Sequence, residues 1–308
     1  MEVTFQFAWE LKLIEALQQM IAALPFLKQF FSFLTIFGEP VAAVVVIGFM
    51  YWCIDKKNGI RTAICTLMAM ISNVMIKNIF RRIRPYSVNK SIECLKVPES
   101  KYDIYDMAKQ GYSFPSGHAT VSSAISTSLY RIKKSKKLLI GGSIMVLLIS
   151  ISRVALGVHY PTDVLAGICF GIVSVIITDR LMEILDKKKL YLLLLVYSCL
   201  GIFYCKSNDY YSILGLMIGF TCGDLFDEKY VSFENTKNYL RMVIRTLVGG
   251  IIFVMITTLL KMPFTTEVLE AHNLFAYFYR VFRYAISAFL IIGLYPILFR
   301  YNILKFKE

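Results

Sequence analysis

Repeated apolar stretches of roughly membrane-spanning length limit the fold of this chain more severely than any other feature. A bilayer core takes roughly 20 predominantly apolar residues per helix. Stretches approaching that length run near 39–54, 60–80, 117–132, 138–157, 163–183, 190–205, 211–226, 238–260 and 276–299. In hydrocarbon every backbone N–H and C=O must be satisfied within the protein, and a helix does so within one segment. The expected fold class is therefore all-α, a polytopic transmembrane helical bundle. Composition agrees: 57% of the 308 residues are hydrophobic and 18% are charged, against roughly 45–50% and 25% in a water-soluble domain. Such a balance excludes a soluble globular core, a disordered chain and a secreted disulfide scaffold.

The net charge of +13 does not point to nucleic acid, because the cations gather at the ends of apolar runs. Lys56, Lys57 and Arg61 follow the first run; Arg131, Lys133, Lys134, Lys136 and Lys137 follow the third; Arg180, Lys187, Lys188 and Lys189 follow the fifth. Lys229, Lys237 and Arg241 precede the eighth, and Arg300, Lys305 and Lys307 follow the last. These five sites alternate in step with the spans, so all fall on one side, which the positive-inside rule assigns to the cytoplasm. Each reads as an anchor against anionic lipid heads. The connections 84–116 and 157–163 are then expected on the outer side. Met1 to Gln6 lacks a basic n-region and no small-residue cleavage site follows, so the first span is expected to act as the insertion signal. The seven cysteines are odd in number and without ligand spacing; all but Cys94 sit in or beside apolar runs, as small free hydrophobes do.

Ahead of the first span, Ala8 to Leu24 mixes Glu10, Lys12, Glu15, Gln18 and Gln19 with apolar residues at helical spacing. This predicts an amphipathic helix on the membrane surface, or one arm of a shallow re-entrant pair with Phe26–Phe37. In the C-terminal half Gly215, Gly219 and Gly223 recur every fourth residue. Such a ladder lets a second helix approach closely, within the chain or at the seam of a homodimer. Arg280 and Arg283 begin the last span, as interfacial anchors or as the lining of a path for anionic lipid.

Polar side chains are costly inside membrane helices and mark functional sites there, so their convergence at the outer ends of spans two to five is informative. Lys77 and Arg84 are seven apart, two turns along one helix face and about 10 Å of rise; Pro85 then stops the helix. Phe114-Pro115-Ser116-Gly117-His118 opens the third span. Ser116 is a natural N-cap, the free amides of a helix start attract anions, and glycine lets a phosphate reach the backbone. His118 sits nearby as a proton donor. Ser152-Arg153 ends the fourth span, and His159 and Asp163 flank the start of the fifth beside Pro161. An Asp so placed can fix the tautomer of one imidazole nitrogen and leave the other free to attack. Two of the three histidines fall in these patterns; His272 lies in an outer loop and reads as surface.

Lys77-x6-Arg84-Pro85, Pro115-Ser116-Gly117-His118 and Ser152-Arg153-x5-His159-x3-Asp163 together resemble the three-part signature of the type 2 phosphatidic acid phosphatase (PAP2) superfamily. That family includes bacterial lipid and undecaprenyl-pyrophosphate phosphatases. Every signature position is present, in order, with its internal spacing. The resemblance implies a division into an interfacial segment (1–38), a PAP2-like catalytic core (39–186) and about four extra C-terminal transmembrane helices (187–308). It implies a membrane lipid substrate carrying a phosphate or pyrophosphate, an isoprenoid carrier ahead of phosphatidic acid or phosphatidylglycerophosphate. It further implies that His159 attacks phosphorus to form a phosphohistidine, that Asp163 holds its ring, and that His118 protonates the leaving oxygen. Lys77, Arg84, Ser116, Gly117 and Arg153 would bind the phosphate at the extracytoplasmic face of the cell membrane. No metal and no cofactor are expected, since no Asp/Glu cluster suited to Mg²⁺ accompanies the motifs. Two rival readings are a vanadate-dependent haloperoxidase, whose relatives are soluble, and a lipid transporter or flippase, which would not need the His–His–Asp set.

Overall fold

The computed structural model describes residues 5–96 and 110–300, with Arg300 described by its backbone alone. Lys305, Lys307, the side chain of Arg300, Met1–Thr4 and the middle of the 84–116 connection lie outside the described residues. All the regular elements within them are helical: α1 (Ala8–Ala23), α2 (Phe26–Ile36), α3 (Pro40–Phe49, prolonged by a π-helical turn Met50–Ile54), α4 (Lys56–Phe80) and the short α5 (Pro85–Val88). There follow α6 (Gly117–Lys133), α7 (Lys136–Ala155), α8 (Pro161–Ile184), α9 (Lys187–Cys199), α10 (Asn208–Phe226), α11 (Tyr239–Leu259), the short α12 (Thr266–Leu269), α13 (Leu274–Phe289) and α14 (Ile297–Arg300).

Five of these helices are long and apolar enough to cross a bilayer: α4, α7, α8, α11 and α13 with its continuation to Phe299. A sixth span results if the pair Phe26–Ile36 and Pro40–Ile54, bent by 49°, is counted as one broken crossing. Three expected spans are thus helices that miss this length or apolarity. The reason is visible in what they bury. Helix α6 buries Thr120, Ser122, Ser123 and Ser128, and α10 buries Tyr210, Tyr211, Thr221 and Asp224. A helix surrounded by protein rather than lipid can carry polar side chains, provided they find partners. The shorter α9 spans 13 residues before a 3₁₀ turn.

The chain folds as two compact units, one formed by Met1–Ala43 with Met68–Thr178 and the other by Val44–Leu67 with Asp179–Glu308. The first unit contains every motif residue. Its core joins Ile14 and Ile21 of α1, Phe31 and Leu34 of α2, Tyr86, Ile92, Ala119, and the run Val154–Val158 with Tyr160 and Val164. In α1 the expected amphipathic pattern holds at buried Ile14 and Ile21 and fails at Glu10. Glu10 is wholly buried, while Trp9, Leu13 and Met20 are exposed. Glu15 accepts from Ser91 Oγ, and the Gln18 amide both donates to and accepts from the backbone of Glu93. Gly157, at φ 75°, allows this docking, since a Cβ there would strike the Glu93 carbonyl and the Gln18 amide. Polar side chains predicted to face water at the membrane surface instead tie α1 to the protein. Helices α6 and α8 meet at Gly167 and Gly171, where a Cβ would collide with Ser116 O and Thr120 O.

In the second unit the Gly215–Gly219–Gly223 ladder lies against Val281, Ala285 and Ile292, which places it in packing within the chain. Several cations expected as lipid-facing anchors are engaged internally. Lys56 pairs with buried Asp227, Arg61 Nε lies 2.7 Å from buried Asp179, and Lys187 reaches Asp224 and Glu228 at 2.5 and 2.6 Å. Tyr51 and Tyr191 donate their hydroxyls to Asp227 and Asp224. All seven cysteines are free.

Candidate active site

The motif residues stand at helix ends. Helix α4 ends at Phe80, so Lys77 lies in its last turn, while Arg84, expected two turns further along the same helix face, has extended backbone as the N-cap of α5, which Pro85 opens rather than ending α4. Ser116 is the N-cap of α6, Arg153 lies in the last turn of α7, and Asp163 in the first turn of α8. The three segments are stitched by backbone as well as side chains. Ser116 N–H donates to the carbonyl of Asp163 at 2.9 Å, and Thr120 Oγ1 bonds Gly167 O at 3.1 Å. Asn73 of α4 donates to Thr120 Oγ1 at 2.8 Å. The amide of Ser116, expected among the anion donors, is therefore already engaged; by helix geometry the following N–H groups of the first turn have no intrahelical partner.

His159 and Asp163 come together as the spacing predicts, with Nδ1 3.4 Å from Oδ2. That is a close approach short of a well-aligned hydrogen bond, and Nδ1 makes none in this arrangement. The same Oδ2 accepts from Tyr160 N–H at 2.8 Å. Burial, followed by the nearby charges of Arg84, Lys77 and Arg153, holds the His159 imidazole well below the ordinary histidine value. It is thus neutral at pH 7, with its Nε2 side turned from the carboxylate.

The charges of all three cations bear on this pair, and Lys77 and Arg84 also hold nearby backbone carbonyls. Lys77 Nζ donates to Tyr112 O at 2.6 Å. Arg84 donates from Nε, Nη2 and Nη1 to the carbonyls of Gly111, Gln110 and Val158 at 2.9, 2.7 and 3.1 Å. Those carbonyls are neutral, so the guanidinium charge of Arg84 stays available to an anion. Arg153 Nη1 donates to Thr35 Oγ1 at 2.6 Å. His118 packs against Gly38, where a Cβ would sit 3.0 Å from its Cβ. Ser116 Oγ and His118 Nε2 are buried polar atoms without a partner among the described residues, which native structures rarely tolerate away from a ligand or water. Among the described residues no group of three His, Cys, Asp or Glu side chains is placed to hold a metal ion.

Two residues at this site escape a motif reading. Arg82 is 0% exposed and donates Nη1 to Asp163 Oδ1 at 2.6 Å and to Thr162 Oγ1 at 2.7 Å. Its Nη2 meets Glu10 Oε2 at 2.8 Å, and its Nε meets the carbonyl of Phe5 at 2.9 Å. The guanidinium lies between the rings of Phe5 and Tyr160, 4.3 and 3.8 Å from their centroids. Glu10 in turn accepts from Thr162 N–H and Oγ1 at the start of α8. The one sequence signal for Arg82 is its place inside the Lys77–Arg84 interval; Glu10, 72 residues away, carries none.

Helices of membrane-spanning length together with these three motifs at helix ends define a class of integral-membrane scaffold, and sequence comparison names it. The chain belongs to the PAP2 superfamily: residues 58–185 match the PAP2 superfamily model, and residues 211–305 match a PAP2 superfamily phosphatase transmembrane extension. Among individual relatives, it is 32% identical over 117 residues to an undecaprenyl-diphosphatase of Sulfolobus acidocaldarius, which covers 38% of this chain and 51% of that one. It is 27% identical over 212 residues to sphingosine-1-phosphate phosphatase 1 of Rattus norvegicus, covering 63% and 47% of the two chains. The mouse counterpart is 26% identical over 205 residues, covering 60% and 45%. The chain thus spans about half the length of each of these relatives. No solved structure matches it.

Proposed function

We propose that the protein is a metal-independent phosphatase acting on a lipid phosphate or pyrophosphate held in the membrane. The observation that carries this reading is the approach of His159 to Asp163 beside Arg84, next to two buried polar atoms, Ser116 Oγ and His118 Nε2, that have no partner among the described residues. A phosphoryl group would supply acceptor oxygens for that serine, for the first amides of α6 at Gly117 and for the guanidinium and ammonium groups.

The reaction follows from the atoms present. The lone pair on Nε2 of neutral His159 attacks phosphorus, a P–N bond forms, and the P–O bond to the leaving group breaks. With the phosphate's negative charge offsetting the surrounding cations, His118 takes up a proton from solvent and gives it to the departing oxygen. Asp163 stabilises the positive charge that develops on the His159 ring. In the second step His118 takes a proton from water, whose oxygen attacks phosphorus; the P–N bond breaks, and phosphate leaves with neutral His159 restored. Lys77, Arg84 and Arg153 stabilise the charge on the equatorial oxygens, a preorganised electrostatic effect that is often the largest single contribution.

The favoured substrate is an isoprenoid pyrophosphate carrier such as undecaprenyl pyrophosphate, supported by the name of the archaeal relative; sphingosine 1-phosphate, phosphatidic acid and phosphatidylglycerophosphate are the alternatives to screen. The basic clusters support an active site on the extracytoplasmic face of the cell membrane. Phosphate release from these four lipids by the protein purified in detergent tests the proposal. His159→Ala should lower turnover by roughly 10³-fold or more while the protein stays folded, and EDTA should leave the wild-type rate unchanged. A fully active His159→Ala protein, or one silenced by EDTA, overturns the mechanism. Wild-type protein that releases no phosphate from any of the four overturns the activity itself.

A further inference from the structure

Among the described residues of the second unit, a buried charge has no ion pair. Helix α13 turns Leu274, Phe275, Phe278 and Phe282 outward and buries Ala276, Tyr277, Arg283 and Ser287. Arg283 is therefore on the inner face of a helix whose outer face is built for lipid, and it is only 6% exposed. Its guanidinium donates no hydrogen bond among the described residues; Nε is buried without a partner, and the group lies 4.9 Å over the ring of Tyr284. Arg280, one turn earlier, gives Nη2 to the carbonyl of Leu269 at 3.2 Å, and its Nε is also buried without a partner. Asp209 and Glu270 are the acids whose charge reaches Arg280, yet neither forms an ion pair with either arginine.

Two guanidinium groups one turn apart repel each other. Burial removes the water that would screen them and would satisfy their N–H groups. Proteins do not keep such an arrangement within a membrane helix unless a counter-charge is supplied. The fork of each guanidinium fits two oxygens of a tetrahedral oxyanion, and a phosphate bears up to two negative charges to set against two positive ones.

We propose that Arg280 and Arg283 form a second anion site, within the transmembrane extension, that takes a phosphate group: the headgroup of an anionic phospholipid or free phosphate. The site is independent of the chemistry at His159, and its test is independent too. In an Arg84→Gln/His159→Ala background, which weakens the catalytic pocket's own hold on phosphate, thermal unfolding is followed in two arms. One arm titrates inorganic phosphate against chloride at equal ionic strength in detergent. The other compares nanodiscs of phosphatidylglycerol with nanodiscs of phosphatidylcholine. An occupied site should raise the midpoint by about 3 °C or more, and Arg283→Met should abolish the response. A rise in both arms identifies phosphate chemistry at large; a rise only with phosphatidylglycerol identifies a lipid headgroup. Without anion, Arg283→Met should be as stable as its parent or more so, because it removes an unpaired buried charge. The proposal fails if neither arm shifts the parent, or if Arg283→Met keeps the full shift. It fails equally if Arg283→Met loses stability to the same extent with and without anion, the mark of a purely structural arginine.

Discussion

The two oxygens of Asp163 have separate tasks. Oδ2 faces His159, while Oδ1 takes the guanidinium of Arg82. A lone Arg82 would neutralise the carboxylate and leave it a poor partner for a ring that becomes positive. Glu10, on the far side of the same guanidinium, shares that charge, so the group of three keeps a net negative charge beside the imidazole. The groups bearing on His159 are otherwise cationic or neutral: Arg84, Lys77, Arg153 and His118. Glu10→Gln should therefore lower kcat by roughly 10- to 100-fold, the scale on which about 1 Å of misplacement is felt, with little change in KM. It should also move the acid limb of kcat/KM further down, because it removes a negative charge that favours protonated His159. The wild-type limb should itself lie below the ordinary histidine value, since the buried imidazole stays neutral to lower pH. A rate profile over pH 4–8 (about the working span of a histidine switch) checks both; an unshifted limb with an unchanged kcat would make Glu10 a purely structural residue. These effects could not be read from the chain, because Glu10 looks like any polar residue on an amphipathic face until α1 docks.

At the scale of elements, periodicity and composition locate the helices well and their surroundings poorly. The apolar runs at 60–80, 138–157, 163–183, 238–260 and 276–299 became α4, α7, α8, α11 and α13. What sequence cannot express is whether a helix meets lipid or protein. Hence α6 and α10 look like spans yet bury hydroxyls and an Asp, and α1 looks like a surface helix yet buries its Glu. The glycine ladder was legible as a close approach but not as to its partner, which is α13. Gly219→Leu should cost about 1–3 kcal/mol by overpacking, because its Cβ would meet Ala288 Cβ at 2.8 Å and the Ala285 backbone. Gly250→Ala, with nothing within 4 Å of its Cβ, is the matched control and should be neutral or slightly stabilising. Thermal unfolding of the two variants in one detergent checks the contrast.

For the molecule as a whole, the basic clusters support an orientation that can be measured directly. Cys94 is partly exposed in the connection between α5 and α6, which that orientation puts outside. In a background lacking the other six cysteines, a membrane-impermeant maleimide should label Cys94 in intact cells, and a cysteine placed at Lys134 only after permeabilisation. The opposite pattern would put the motifs on the cytoplasmic face. The clusters overstate the number of free anchors, since Lys56, Arg61 and Lys187 are paired with acids of their own unit. The division into two units was not legible either: it runs through α3 between Ala43 and Val44, through α4 between Leu67 and Met68 and through α8 between Thr178 and Asp179. Three helices thus begin in one unit and end in the other. For heredity this means that the extension is not a cassette. A gene cut after codon 186 would still encode residues 44–67 without the segment that completes their unit, so loss or exchange of the extension by one recombination event would damage the part it left behind.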